Sequence, residues 1–122
     1  MTKENLIKDK SYDFALSIID VYRNLTQNME EYVMSKQLLR SVTSIGANVH
    51  EAIEAQSRAD FILKLSIALK EARETEYWIR LLMASDYMEN HHTIHNEAQV
   101  IIRILTAIIK TTKGQSNDEN TK

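Results

Sequence analysis

Two short stretches hold the side chains whose type and spacing could do chemistry. One is RSVTSIGANVHEA with the residues before it, carrying Gln37, Arg40, Ser41, Ser44, Asn48 and Glu51; the other is KEARETEYW, carrying Glu71 and Glu74. Two carboxylates near an arginine, an amide and hydroxyls could act in proton transfer, could hold a metal, or could form a polar layer between helices. At helical spacing Glu71 projects between Ile67 and Trp78, and an ionised carboxylate on such a partly buried face must be paired. Arg40, Ser44 and Asn48 are the expected partners. The layer would fix helix register, and one or two carboxylates without a nucleophile or cofactor motif specify no reaction. The alternative is a metal-binding or carboxylate-based enzyme in the bundle core, using Glu71, Glu74 and nearby histidines.

The metal version meets obstacles of pattern. Di-iron bundles take a Glu from each of two helices and Glu-x-x-His from each of the other two; here Glu89 to His92 is the sole Glu-x-x-His, at a helix junction. His91 and His95 stand at i and i+4, and His50-Glu51 opens a metalloprotease-like run that lacks its second histidine. The chain has no cysteine, no phosphate-cradling glycine loop and no G-x-S-x-G. The reading is therefore a protein that is not an enzyme, with no catalytic residue, no cofactor, no metal ligand and no small-molecule substrate.

The elements that must position these groups are helices. The 122 residues include no proline and only two glycines, Gly46 and Gly114, so the turn chemistry of a sheet is missing. The expected helices begin with 5–25, where Phe14, Ile18 and Leu25 line one face, and 30–55, with Glu30 and Glu31 in the first turn. A third follows a capping box at Ser57-Arg58-Ala59-Asp60, with the seam Phe61, Leu65, Ala68, Ala72, Thr75, Ile79 and Leu82. The fourth carries Ile94, Ala98, Ile101, Leu105 and Ile108 and is expected to stop at Gly114. Short connections favour an all-α, antiparallel up-down-up-down four-helix bundle, a single domain over residues 1–114 with a disordered tail at 115–122. The RSVTSIGANVHEA stretch then falls inside the second helix as a polar ridge beside Leu38, Val42, Ile45, Val49 and Ile53. Gly46 costs a helix about 0.8–1 kcal/mol relative to Ala, which the close approach of another backbone would offset.

With 15 Lys and Arg against 17 Asp and Glu, the net charge is -2, without the overall basic excess of most autonomous nucleic-acid binders. Lys36, Arg40, Arg58, Lys64, Arg73 and Arg80 are the basic groups that a local nucleic-acid contact would use. No leader pattern and no run of about 18 apolar residues occurs, which reads as a cytoplasmic protein without a membrane partner.

The run Gln37-Leu38-Leu39-Arg40-Ser41, then Ser44-Ile45, Asn48 and Glu51, followed by Asp60-Phe61, Ile67-Ala68, Glu71, Glu74 and Trp78, resembles the four-helix-bundle proteins known as 23S rRNA intervening-sequence proteins. The likeness covers most of residues 10–110. It departs where many members have Gly and this chain has Ala52, and where many have Pro near Gly46. The resemblance implies a compact bundle with no established enzymatic activity, formerly labelled ribosomal because members are encoded within insertions in ribosomal RNA genes. It also implies similarity to the accessory variability protein of diversity-generating retroelements, a pentameric barrel that associates with reverse transcriptase and nucleic acid. Homo-oligomerisation, a pentamer foremost, with RNA, DNA or a nucleic-acid-bound protein as partner, follows from that resemblance together with the broad apolar faces of the third helix.

Overall fold

A computed structural model describes residues 2–90 and 92–120, and it contains four helices: α1 (Lys3–Gln27), α2 (Met34–Ile53), α3 (Arg58–Ala84) and α4 (Thr93–Asn120). Each start has an identifiable cause. Thr2 caps α1 by accepting the Asn5 amide at 3.1 Å, and Ser57 caps α3 by accepting the Asp60 amide at 3.0 Å. The α2 start differs from the expectation that Glu30 and Glu31 form its first turn. Glu30 adopts a positive φ of 55°, and the Glu31 amide donates to the Leu25 carbonyl at 2.9 Å, closing off α1. The helix therefore begins at Met34, with Val33 at the cap position, and Glu31 acts from outside the helix.

That carboxylate accepts three backbone amides, those of Val33, Met34 and Ser35, at 2.9, 2.8 and 2.7 Å, while the Ser35 hydroxyl donates to the Glu31 carbonyl at 2.7 Å. It satisfies donors that every helix start leaves without an intrahelical partner. Burial works to raise the Glu31 carboxyl; the amides of Met34, Ser35 and Val33 and the Ser35 hydroxyl outweigh it and hold the group below its ordinary range.

The end of α3 is formed at Ser85-Asp86. Asp86 takes a left-handed φ of 66°, its amide donates to the Met83 carbonyl at 3.2 Å, and the Tyr87 amide donates to the Leu82 carbonyl at 3.0 Å. Together these form a Schellman closure, with Asp where Gly is commonest. The α4 stop differs: the helix passes through Gly114 to Asn120, and neither glycine has a positive φ. A helical glycine costs only about 1 kcal/mol, less than the anchoring available from Ile108 and Ile109, which are buried about one and a half turns earlier. Thr121 and Lys122, the end of the expected tail, lie outside the described residues, as does His91.

Among the described residues α1 packs on α2 and α4, and α3 packs on the same two, while the diagonal pairs do not pack. Partner numbers along α2 and α3 run in opposite senses: Arg40 and Ser41 meet Glu71, Glu74 and Thr75, whereas Glu51 meets Lys64. Likewise Glu76 meets His95, whereas Leu69 lines a groove with Thr106 and Ile109. Neighbouring helices are therefore antiparallel at both of these seams.

The core lies at the centre of this square. Leu38, Val42, Ile45 and Val49 of α2 are fully buried against Leu65, Ala68, Ala72, Ile79 and Leu82 of α3, Ile18 and Leu25 of α1, and Leu105 of α4. Complete burial of such an aliphatic side chain contributes about 1.5–3 kcal/mol, and this sum holds helices that are individually marginal. No helix among the described residues is long and apolar enough to cross a membrane.

Candidate functional site

The polar ridge of α2 faces α3, but its members divide into separate groups. Arg40 is the hub of the first. Its guanidinium donates to Glu71 at 3.2 Å and, from the other terminal nitrogen, to Glu74, while Nε donates to Gln37 Oε1 at 3.2 Å. Trp78 Nε1 donates to the same Glu74 oxygen at 3.1 Å. Spacing builds this arrangement: Glu71, Glu74 and Trp78 follow at steps of three and four on the flank of α3 toward α2, opposite Gln37 and Arg40 one turn apart. Glu71 keeps only 15% of its side-chain surface exposed and Glu74 35%, so a shared arginine fork is the counter-charge their burial requires.

The Trp78 hydrogen bond, opposed by burial and reinforced by Arg40, holds the Glu74 carboxyl below its ordinary range; the Glu74 hydrogen bond leads the effects that raise Arg40. The cluster is a closed ion-pair layer. Both carboxylates have donors in place, which leaves neither poised to take a proton from a substrate.

One turn deeper lies a contact that sequence reasoning missed. The Thr75 hydroxyl lies 2.8 Å from Ser41 Oγ and 2.8 Å from the Glu71 carbonyl, and the Ser41 hydroxyl donates to the Leu38 carbonyl at 3.1 Å. Both residues are fully buried. Thr75 sits at a seam position among apolar residues, and a hydroxyl there, facing a serine across the antiparallel pair, is the signal that could have found it. Ser44 and Asn48 do not join α3: the Asn48 amide donates back to the Ser44 carbonyl at 2.9 Å and to its hydroxyl at 3.3 Å. Glu51 holds Lys64 at 3.0 Å, and that hydrogen bond raises the lysine above its ordinary range.

Gly46 lacks the backbone neighbour expected of it. A side-chain carbon built there would meet nothing within 4 Å. The position is half-buried at the α1 side of α2, where the polar ridge and α3 do not reach.

Of the basic groups, Arg40 and Lys64 are thus engaged within the chain. Lys36, Arg73 and Arg80 are exposed and make no ion pair among the described residues. Arg58 is exposed at the first turn of α3. Aromatic residues divide similarly: Phe14 is core, whereas Tyr12, Tyr32 and Tyr77 are exposed.

Among the described residues no three His, Asp or Glu side chains converge as a metal would require. His50 Nδ1 lies 2.8 Å from the Gly46 carbonyl, and His95 Nε2 lies buried 3.6 Å from Glu76 without a hydrogen bond. A groove of about 790 Å³ opens at the end of the bundle where α1 meets the α3–α4 connection, edged by Asp20, Asp86, Glu89 and Glu97. None of the eight polar residues singled out from the sequence lines it.

Comparison with known proteins places this geometry. A family model described as 23S rRNA-intervening sequence protein matches residues 3–107. The crystal structure of a protein of unknown function from the S23 ribosomal protein family of Bacteroides thetaiotaomicron is 53% identical, with a TM-score of 0.87 over 89% of this chain and 99% of that one. No curated protein matches.

Proposed function

Since the chain belongs to the 23S rRNA-intervening sequence protein family, we propose that it works as a non-enzymatic scaffold, a helical bundle that self-associates, five copies in a ring being the favoured arrangement, and that meets RNA, DNA or a nucleic-acid-bound protein. One observation carries the reading: large apolar side chains remain outside a core that is complete without them. Tyr12 and Leu16 stand one turn apart on α1, exposed by 59% and 49%, and Leu63 on α3 is exposed by 55%. These are different surfaces on opposite sides of the square. Contact between unlike patches is head-to-tail, the type that closes into rings, whereas one self-complementary patch would give a two-fold dimer.

The closure of Glu71 and Glu74 around Arg40 supports the scaffold over the carboxylate enzyme. The ring of five draws on the resemblance to the retroelement accessory protein. Light scattering after size exclusion tests assembly. The expected mass is a multiple of the 14.1 kDa chain, falling when Leu16→Glu or Leu63→Glu is introduced; a monomer throughout the micromolar range would refute it.

A further inference from the structure

The charges of α3 and α4 are segregated. Lys70, Arg73 and Arg80 follow one another at steps of three and seven on α3, and Arg103, Lys110 and Lys113 at steps of seven and three on α4. All six are exposed, and none makes an ion pair among the described residues. Lys110 and Lys113 line a hollow of about 500 Å³ between the two helices, where Leu69 of α3 meets Thr106 and Ile109 of α4, and Lys70 follows Leu69 in the chain.

Most of the described carboxylates of this half of the bundle are directed elsewhere. Glu71 and Glu74 turn to Arg40 on α2, and Asp60 lies by Lys64. Glu76 is three-quarters buried against His95, and Asp86, Glu89 and Glu97 line the groove on the α1 side. A chain of net charge -2 thus presents six exposed cations along two helices; among the described side chains the carboxylate closest to the rows is Glu74, 35% exposed, which Lys70 faces electrostatically and which Arg40 already holds.

From this we infer that the α3–α4 face is a docking surface for a phosphodiester polyanion, a single-stranded nucleic acid. The inference rests on the scaffold reading and deepens it by naming the partner's chemistry and the face that meets it. Because α3 and α4 are antiparallel, the rows overlap near Lys70 and together extend roughly 25 Å, from Arg80 to Lys113, at about 1.5 Å per helical residue. Such a row matches a repeating anion, since phosphates recur every 3.4 Å or so along a duplex strand. Tyr77, more than half exposed, stands between Arg73 and Arg80, where it can stack on a base. A compact acidic site, such as the chain's own groove at Asp20, Asp86, Glu89 and Glu97, would fit a shorter and rounder basic patch.

The test is fluorescence anisotropy with labelled 20-nucleotide single-stranded RNA, the DNA of the same sequence, and the duplex DNA, between 50 and 200 mM KCl. If four phosphates are neutralised, affinity falls across that range about 50-fold for single strands and about 150-fold for duplex, by counterion release. The variant Arg73→Glu/Lys110→Glu is expected to bind at least 30-fold more weakly, and Arg103→Glu alone at least 5-fold. Lys36→Glu, on α2 outside the face, is expected to stay within 2-fold of the unaltered chain. The single strands are expected to bind more tightly than the duplex, whose bases are not free to stack on Tyr77, and tighter binding of the duplex overturns the assignment to single strands.

No binding at 50 mM KCl, binding indifferent to salt, or an equal loss in Lys36→Glu overturns the inference. So does an altered assembly mass in the charge-reversed variants without polyanion binding by the parent, which would make this face a contact between copies. A monomeric protein that still binds with these sensitivities refutes the scaffold while leaving the polyanion face standing.

Discussion

Replacing Glu31 with Ala removes a carboxylate that is 7% exposed and accepts three backbone amides. Losing an N-terminal cap costs about 1–2 kcal/mol, and losing a negative charge at the positive end of a helix costs up to about 1 kcal/mol more. The expected destabilisation is therefore about 2–3 kcal/mol, a fall in Tm of roughly 8–12 °C for a domain of this size. Glu31→Gln keeps an acceptor but not the charge, and is expected to lose about half as much. Acid supplies the check on mechanism. Because folding lowers the Glu31 pKa, its stabilisation is complete above the ordinary glutamate value of about 4.3 and is lost as pH falls through the lower, folded value. Urea titrations at pH 7 should show the full gap between the parent and Glu31→Ala, and titrations below pH 4 a shrinking one. A gap under about 0.5 kcal/mol at pH 7, or one that acid leaves unchanged, would refute the account of α2's start.

Three further outcomes follow from the packing. Gly46→Ala is expected to stabilise the monomeric fold by about 0.8–1 kcal/mol in urea titration, because its new carbon meets open space. In a double-mutant cycle, Ser41→Ala and Thr75→Val should couple by about 0.5–1 kcal/mol, each hydroxyl keeping a backbone carbonyl when the other is removed. Arg40→Ala should cost about 1–2 kcal/mol in urea titration, since Glu71 is left largely buried without its counter-charge; Arg40→Lys should recover only part, lacking the fork that spans two carboxylates.

What was legible in the sequence was whatever rests on period. The α3 seam from Leu65 to Leu82 and the α4 seam from Ile94 to Ile108 are buried residue for residue, because a helix face is fixed by 3.6-residue geometry alone. Ser57 was legible because its cap is local. The pairing of Arg40 with Glu71 was legible because a half-buried carboxylate requires a cation. The start of α2 was not. Acidic residues favour both a first turn and a cap just outside it, and what decides between them here is the left-handed turn at Glu30, which closes the Glu31 amide onto the Leu25 carbonyl at the end of α1 and which neither Gly nor Asn marks in the sequence. Nor was the destination of Asn48. Its amide could reach α3 or its own preceding turn, and the distance between helix surfaces, which sequence does not encode locally, selects Ser44.

Each helix in this square touches its neighbours in the chain, and only the seam between α1 and α4 joins distant segments. Most native contacts can therefore form before the chain ends meet, a low-contact-order topology associated with folding in microseconds to milliseconds. The absence of proline removes the isomerisation that delays many chains by tens of seconds or more. The individual subunit should thus regain its fold in a single rapid phase after dilution from denaturant. Any slower phase whose rate rises with protein concentration then reports the meeting of copies, so the folding trace itself becomes a clock for assembly.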